Sequence, residues 1–278
     1  MKTWRFIQSD FSPAFQNMAY DEALFLNYPV NRQPLLRIYG FSSLSFSLGY
    51  FQKTSEVLDW QKCLKEGLTL VRRPTGGGLI FHSQELTYSI VCSKQDLGFR
   101  KEAVKREIIE FLCSFLLKFY RKLGLKPYFC FETKNHLENK NSSFCLLRKS
   151  VYDVLIEGRK IGGYAQKISK GIILQQGIIP FRVEIEKIKK FVKEPLEKED
   201  KTYTFLEELL GRNLSFKELS YLVKESLEEV LNCQLKKDYF NSQECSLANY
   251  LLRKYESLEW NIYRNLPENF YEEAFLVK

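Results

Sequence analysis

The sequence predicts an α+β fold, in which helices flank a mixed, largely antiparallel sheet and a helical portion follows at the C-terminus. Strand-like runs joined by short turns between residues 150 and 176 favour antiparallel neighbours, because a tight turn returns the chain beside itself. Residues 102–123 carry a Phe at every fourth position from 111 to 119, the spacing of one helix face. After residue 182, Lys and Glu alternate with Leu at helical spacing. We therefore expect a sheet-bearing domain over 1–182 and a helical portion over 183–278 that packs on it.

The individual elements follow from apolar patterns and turn residues. Ser12 can cap a helix over residues 12–28, and Pro13 suits its first turn because no amide donor is needed there. Another helix is predicted over residues 102–123, and the polar, aperiodic segment 133–143 is expected to be an exposed loop. The predicted strands are 35–39, 44–50, 69–72, 86–91, 150–156, 161–166 and 172–176.

Composition and charge exclude some classes of function. The chain has 278 residues, 45% of them hydrophobic, so a sizeable core is expected. A net charge of +8 favours an acidic macromolecular partner. The aromatic residues lie in apolar periodic runs rather than between Arg and Lys on one face, so we expect no binding of nucleic acid. The longest apolar stretch, 108–117, is too short for a membrane span and is expected to be a core helix.

The cysteine pattern bears on metal binding and on the cellular compartment. The seven cysteines form no Cys-x-x-Cys pair and the chain has only two histidines, so neither a disulfide framework nor a clustered zinc site is expected. The N-terminal residues do not combine a basic stretch with an apolar run, as a signal peptide does. We therefore expect a cytoplasmic protein that binds neither a metal nor a membrane.

Three consecutive glycines, Gly76, Gly77 and Gly78, stand between two predicted strands. Glycine lacks a Cβ atom, so such a loop can approach a ligand closely and adopt positive φ. Its amide groups can bind an anion or polarise a carbonyl, although a flexible turn explains the loop equally well. No Gly-Lys-Ser/Thr follows, which excludes a Walker loop, and the pattern also differs from the dinucleotide-binding Gly-x-Gly-x-x-Gly.

Two segments together resemble the signatures of the biotin and lipoate ligase/transferase superfamily. The first, residues 72–82, contains the three glycines, and in the second, residues 157–166, a lysine after a turn enters a strand of small residues. Within this superfamily the chain is most similar to the LipM-type octanoyltransferases. Segments that carry the similarity include Trp4-Arg5-Phe6, Ser47-Leu48-Gly49-Tyr50-Phe51-Gln52, Gln84-Glu85-Leu86-Thr87-Tyr88-Ser89, Ser142-Ser143-x-Cys145 and Leu258-Glu259-Trp260-Asn261. The resemblance implies a biotin/lipoate ligase-like catalytic domain over 1–182.

The resemblance also assigns roles to individual residues. It implies that Cys145 is a nucleophile that holds the acyl group as a thioester, and that Lys160, fifteen residues later, favours the thiolate by its charge. Without the resemblance, Cys145 would be read as an inert buried thiol and Lys160 as a solvated turn residue. His82 stays open between a site residue and a structural histidine. The predicted substrate-binding residues are Arg73, Gly76, Gly77, Gly78, His82, Gly162, Gly163 and Ala165.

The implied reaction takes an octanoyl group from octanoyl-acyl carrier protein and passes it to a lysine of a lipoyl carrier domain, such as the glycine cleavage H protein. It requires neither ATP nor a metal. Both carriers are acidic proteins, which agrees with the positive charge of the chain. The small residues Gly162, Gly163 and Ala165 are expected to leave room for an eight-carbon chain, and the amides of residues 76–78 are candidates to stabilise an oxyanion.

The sequence departs from the family pattern at several positions. Ser83 replaces an acidic residue, Gln176 replaces a histidine, and Tyr164 replaces a small serine that would leave more room in the acyl pocket. The run Leu146-Leu147-Arg148-Lys149 replaces a more acidic one that contains proline. These departures leave the acyl chain length and the identity of the carrier open.

Two other enzymes of the superfamily remain as alternatives. An ATP-dependent lipoate–protein ligase activates the free acid as an adenylate and needs no cysteine. Its usual Asn-Asp pair is Tyr152-Asp153 here, and its usual Asn is Glu85, so both differences favour the transferase. An amidotransferase that moves the acyl group between carrier domains also uses a cysteine, but at a different position from Cys145.

Overall fold

The computed structural model describes residues 2–100, 102–132, 142–195, 202–212 and 214–276. It confirms the predicted α+β class, with helices against a mixed and largely antiparallel sheet. Of the loop predicted over residues 133–143, the part from 133 to 141 lies outside the described residues. Within the described ranges, no helix has both the length and the apolar character needed to cross a lipid bilayer.

The secondary structure consists of short strands and nine helices in the described ranges. The strands are β1 (Lys2–Ser12), β2 (Leu35–Phe41), β3 (Ser45–Leu48), β4 (Thr69–Arg72), β5 (Ile80–His82), β6 (Glu85–Ser93), β7 (Tyr128–Phe129), β8 (Val154–Ile156), β9 (Arg159–Ile161), β10 (Gly163–Ser169), β11 (Ile172–Pro180), β12 (Tyr203–Thr204) and β13 (Cys233–Lys237). The helices are α1 (Ala14–Asn31), α2 (Thr54–Val57), α3 (Trp60–Lys65), α4 (Lys105–Lys122), α5 (Ile185–Ile188), α6 (Leu206–Leu210), α7 (Phe216–Leu231), α8 (Ser242–Tyr255) and α9 (Phe270–Leu276). A 3₁₀ turn covers Cys130–Glu132, and a π-helical turn covers Glu259–Tyr263.

The strands form one large sheet and two small ones. The large sheet has the order β10-β11-β6-β2-β1-β13; its β1–β2 and β1–β13 pairs are parallel and its other pairs are antiparallel. A four-stranded sheet has the order β12-β9-β8-β7, and a three-stranded sheet has the order β4-β3-β5. The glycine loop, residues 76–78, connects β4 and β5 of the smallest sheet.

Helices cover both faces of the large sheet, because neighbouring strand residues point to opposite faces. Leu36 and Ile90 pack with residues of α4 and α7 on one face, while Leu35 and Val91 pack with Leu24 of α1 on the other. The predicted core face of α4 is confirmed, since Phe115 and Phe119 are fully buried and Phe111 is half-buried. Helix α8 lies against the outer side of α1 and shares an apolar cluster with it.

Several predicted elements differ in extent from those in the structure. Strand β1, which was not predicted, occupies Lys2–Ser12, so α1 begins at Ala14 with Pro13 as its N-cap, and Ser12 does not cap it. The strand predicted over residues 161–166 is divided at Gly162, whose φ of +77° turns the chain. Strands β9 and β10 therefore lie in different sheets, each in its own antiparallel hairpin.

The part of the chain after residue 182 is helical, as predicted, but it also supplies strands. Strand β12 pairs with β9, and β13 completes the edge of the large sheet beside β1. These pairings join the C-terminal part to the sheets of the first 182 residues. The boundary at residue 182 stays a prediction.

Candidate active site

Cys145 lies in a segment without regular structure that is held against the end of the glycine loop. The amide of Leu79 donates to Ser143 O at 2.8 Å, and the amide of Cys145 donates to Leu79 O at 2.9 Å. A Cβ atom at Gly78 would lie 2.7 Å from Ser143 O and 3.1 Å from the Cα of Cys145. Glycine at this position therefore allows the loop to contact the backbone of the cysteine.

Two further side chains hold the segment that precedes the cysteine. The Glu194 carboxylate accepts hydrogen bonds from the amide of Ser143 at 2.8 Å and from its hydroxyl at 2.6 Å. It also accepts one from the hydroxyl of Ser142. Gln52 Nε2 donates to Ser143 O at 3.0 Å. No sequence pattern marks Glu194 as a site residue, because it lies in a stretch of alternating Lys and Glu that resembles any solvated helix face.

The thiol of Cys145 lies where two cavities meet. The inner cavity, of about 360 Å³ including any part open to solvent, is narrow, and its walls are mostly apolar. The outer cavity, of about 940 Å³ including the part open to solvent, has more polar walls. Four residues line both cavities, namely Gly77, Cys145, Tyr164 and Ala165. A group attached to the Cys145 sulfur can therefore extend into the inner cavity, while a second reactant approaches from solvent through the outer cavity.

The inner cavity runs between α1 and the two neighbouring sheets. Its apolar wall consists of Met18, Tyr39, Phe41, Ile80 and Ile178. Thr87 also lines it, and its hydroxyl is buried without a hydrogen-bond partner among the described residues. Gln176 bridges Thr75 and Asp21 by hydrogen bonds of 2.7 Å each.

Tyr164 narrows the passage between the two cavities. It lines both of them, and its hydroxyl has no nitrogen or oxygen partner among the described residues. The neighbouring group is the thiol of Cys113, which is a weak hydrogen-bond partner, and burial raises the pKa of the phenol well above its usual value. The small serine expected here from the family resemblance would leave a wider passage.

Lys160 is buried beside Cys145, with only 3% of its surface exposed. Its ammonium group donates to Cys145 O at 2.8 Å and to Arg148 O at 2.7 Å, and it forms an ion pair with Asp153 Oδ2 at 2.8 Å. These three partners use the three donors of the group, and no hydrogen bond joins Nζ to the Cys145 sulfur. Lys160 therefore contacts Cys145 through the backbone of that residue.

The ammonium of Lys160 keeps its charge despite its burial. Burial by itself lowers the pKa of Lys160, but the charges of Asp153 and Cys145 outweigh that effect, and the pKa is raised above 10.5. Lys160 is thus positively charged at neutral pH, and Asp153 supplies a compensating negative charge. The strand register explains the contact between Asp153 and Lys160. Leu155 pairs with Lys160, and Asp153, two residues before Leu155, is therefore a diagonal neighbour of Lys160 on the same face of the hairpin.

Arg73 is a second buried cation near Cys145. Its guanidinium donates to Ser47 O and Oγ, both at 2.7 Å, to Gly76 O at 3.0 Å and to Gly78 O at 2.8 Å. No carboxylate forms an ion pair with it among the described residues. Burial lowers the pKa of Arg73 to about 10, and Cys145 opposes this change. The geometry assigns Arg73 to holding the glycine loop, and its predicted contact with substrate stays a prediction.

His82 forms part of the inner cavity wall with both ring nitrogens occupied. Nδ1 lies 2.8 Å from Glu85 Oε1, and Nε2 lies 2.6 Å from Ser47 Oγ. A carboxylate can only accept, so Nδ1 carries the proton and Nε2 accepts from the serine. Burial lowers the pKa of His82, which keeps the ring neutral, and the ring stacks on Phe41 with centroids 3.7 Å apart. The arrangement favours the structural interpretation of His82.

The predicted small residues have different surroundings. A Cβ atom at Gly163 would lie 2.6 Å from the sulfur of Cys145, and one at Gly162 would lie 2.3 Å from Ile178 O. Gly162 lines neither cavity and forms the corner between β9 and β10. Ala165 lines both cavities. Gly163 and Ala165 therefore shape the space around the thiol, and Gly162 directs the strand towards it.

The other thiols differ from Cys145 in their surroundings. Burial raises the pKa of Cys63 to about 12, and it also raises the pKa values of Cys92 and Cys113 well above the usual thiol value. Such thiols are inert at neutral pH. Cys245 is partly exposed but lines neither cavity. Cys145 is thus the cysteine that combines access from solvent with an adjoining apolar cavity.

Known proteins resemble this chain in sequence and in fold. The family model described as the lipoyl protein ligase A/B catalytic domain matches residues 13–228. The octanoyltransferase LipM of Anoxybacillus flavithermus is 36% identical to this chain over an alignment of 278 residues. The alignment covers 95% of this chain and 99% of the relative. The chain belongs to the LipM octanoyltransferase family. Octanoyltransferase LipM of Bacillus subtilis is 34% identical over the same shares of the two chains.

Solved structures show the same fold at lower sequence identity. Lipoate-protein ligase A bound with ATP superposes with a TM-score of 0.78 at 24% identity, covering 94% of this chain and 99% of that one. A bi-partite lipoate protein ligase from Thermoplasma acidophilum gives a TM-score of 0.79 at 23% identity, covering 96% and 99%. The LipM family member described here thus has the fold of the lipoate ligases.

Proposed function

We propose that Cys145 receives an octanoyl group from octanoyl-acyl carrier protein as a thioester and transfers it to a lysine of a lipoyl carrier domain. The chain is an acyltransferase of the LipM family, and octanoyl transfer in lipoate assembly is its function. The observation that carries the residue assignment is the position of the Cys145 thiol at the junction of an apolar cavity and a solvent-open one.

In the first step, the Cys145 thiolate attacks the carbonyl carbon of the donor thioester. A new carbon–sulfur bond forms, the bond to the donor sulfur breaks, and the donor leaves as a thiolate that takes a proton from solvent. The octanoyl chain then occupies the inner cavity beside Met18 and Ile178. The exchange of one thioester for another is nearly energy-neutral, so the reaction needs no ATP.

In the second step, the neutral amine of a carrier lysine attacks the thioester carbon at Cys145. A carbon–nitrogen bond forms, the carbon–sulfur bond breaks, and the amine loses a proton to the departing thiolate or to solvent. The product amide is more stable than the thioester, so this step runs forward. No metal takes part in either step.

Both steps place a negative charge on the carbonyl oxygen and on sulfur. The amides of Gly76, Gly77 and Gly78 donate to no acceptor among the described residues, so they are available to the oxyanion. Lys160 and Arg73 supply positive charge near the thiolate. Because Asp153 balances Lys160, we assign part of this effect to Arg73.

The partners and the compartment belong to the proposal as well. An acidic acyl carrier protein and an acidic lipoyl domain, such as that of the glycine cleavage H protein, suit a chain with a net charge of +8. We propose the cytoplasm as the compartment, because the cysteine pattern of the sequence suits a reducing environment.

The proposal is tested by incubation of the protein with octanoyl-acyl carrier protein without ATP, followed by intact mass measurement. We expect a gain of one octanoyl group that hydroxylamine removes, and no gain in Cys145→Ser. Cys245→Ser is the matched control, because it removes a more accessible thiol outside the cavities and should retain the adduct. If a carrier lysine is modified only with ATP, and still in Cys145→Ala, the protein is a lipoate–protein ligase and the proposal fails.

A further inference from the structure

The outer cavity carries more positive than negative charge. Lys105, Arg148 and Lys160 line it together with a single carboxylate, that of Asp153. Asp153 is already paired with Lys160 at 2.8 Å. The charges of Lys105 and Arg148 are therefore left without compensation on the cavity wall.

These two cations are exposed and have no partner in the described part of the chain. No ion pair or side-chain hydrogen bond joins either Lys105 or Arg148 to another described residue. The nearest carboxylate along the helix, that of Glu107, accepts a hydrogen bond from the amide of Val104. Lys105 is also the first residue of α4, an 18-residue helix whose N-terminus adds a partial positive charge.

We propose that Lys105 and Arg148 bind the phosphate group of a phosphopantetheine thioester, the donor of the acyl group. This inference rests on the proposed function, because it takes Cys145 as the residue that is acylated. When the acyl chain enters the inner cavity, the arm on the other side of the thioester sulfur lies in the outer cavity. The phosphate lies at the far end of that arm, where it contacts Lys105 and Arg148.

The position of Arg148 supports this assignment. The backbone oxygen of Arg148 is held by Lys160 at 2.7 Å, which fixes the start of its side chain beside the nucleophile. Guanidinium groups bind phosphate with two parallel hydrogen bonds, and lysine adds a point charge.

The test compares thioesters that differ in their phosphate. The rate of Cys145 acylation is measured by intact mass with S-octanoyl-pantetheine, S-octanoyl-phosphopantetheine, octanoyl-coenzyme A and octanoyl-acyl carrier protein. We expect kcat/KM to be about tenfold higher for the phosphopantetheine thioester than for the pantetheine thioester. In the double variant Lys105→Gln/Arg148→Gln this ratio should fall to about one.

Lys149→Gln is the matched control. Lys149 has the same charge and adjoins Arg148, but its ammonium donates to Gly158 O at 3.1 Å and it does not line the outer cavity. The ratio should therefore stay at the wild-type value in this variant. If Lys149→Gln retains this ratio, the rates with octanoyl-coenzyme A and octanoyl-acyl carrier protein identify which source of phosphopantetheine the enzyme prefers.

Two results would overturn the inference while leaving the proposed function intact. In the first, the wild-type protein reacts equally fast with the two small thioesters. In the second, the double variant slows only the reaction with the carrier protein, so that the cations contact acidic side chains of the carrier. Failure of all four thioesters to acylate Cys145 would instead remove the proposed function.

Discussion

Gly163 lies directly against the sulfur of Cys145, where an added Cβ atom would stand 2.6 Å from Sγ. Gly76 lies in the loop on the other side of the thiol, and a Cβ atom there would meet nothing within 4 Å. A methyl group added at Gly163 would therefore displace the sulfur of Cys145, whereas one added at Gly76 would displace no neighbouring atom.

We expect Gly163→Ala to slow the acylation of Cys145 by about 100-fold, because a displacement of the sulfur of roughly 1 Å costs that much. Gly76→Ala should acylate at nearly the wild-type rate, since its φ lies outside the positive range. The measurement is the initial rate of octanoyl adduct formation, with circular dichroism to verify folding. Equal rates in the two variants would show that the sulfur is free to move.

Lys160 contacts the segment around Cys145 through backbone carbonyl groups. Its bonds to Cys145 O and Arg148 O tie the cysteine segment to β9, so the thiol is oriented from its own backbone. The sequence resemblance predicted roles for Cys145 and Lys160, and the hairpin register would also have placed Asp153 beside Lys160. Glu194, by contrast, contacts Ser143 across 51 residues of chain, and no local pattern reveals such a contact.

Helices α1 and α8 are joined by a buried charged cluster centred on Glu22. The Glu22 carboxylate accepts hydrogen bonds from Lys254 at 2.6 Å, from the hydroxyl of Tyr255 at 2.8 Å and from that of Tyr271 at 3.0 Å. The Lys254 ammonium lies 3.9 Å above the ring of Trp260. Burial alone would raise the pKa of Glu22, but the charge of Lys254 outweighs it and lowers the pKa below 4.5.

Glu22→Gln should lower the free energy of unfolding at pH 7 by about 3–5 kcal/mol, because it leaves Lys254 buried without its counter-ion. A carboxyl group with a lowered pKa stabilises the fold above its unfolded pKa, and this contribution disappears as the pH falls through its folded pKa. The difference between wild type and variant should therefore shrink below pH 4.5. Urea unfolding at pH 7 and at a series of acidic pH values measures it, and a constant difference would contradict the assignment.

At the level of elements, periodicity predicted the helices better than the sheet. The apolar face of α4 was found because it repeats over 18 residues. The corner at Gly162 was not predicted, since a single residue with positive φ inside an apolar run leaves the strand pattern unchanged. The parallel pairing of β1 with β13 joins residues more than 200 positions apart in sequence, so no local signal predicts it.

The whole molecule is organised around one sheet that draws strands from both parts of the chain. The division at residue 182 predicted from composition would allow the two parts to unfold separately. Strand β13, however, pairs with β1, and α7 packs against α4 in the main core.

We therefore expect one cooperative unfolding transition. The three tryptophans, Trp4, Trp60 and Trp260, report on different regions, so their fluorescence should change at the same urea concentration as the far-ultraviolet circular dichroism. Two separated midpoints would instead support an independent helical portion over 183–278.

The pairing of β1 with β13 also has a consequence for biosynthesis. The outer neighbour of strand β1, Cys233–Lys237, leaves the ribosome more than 200 residues after β1 itself. Until then the nascent chain displays an unpaired edge, which invites association with other chains. Such long-range pairing slows folding because a large loop must close first. Dependence on a chaperone during translation is the expected outcome.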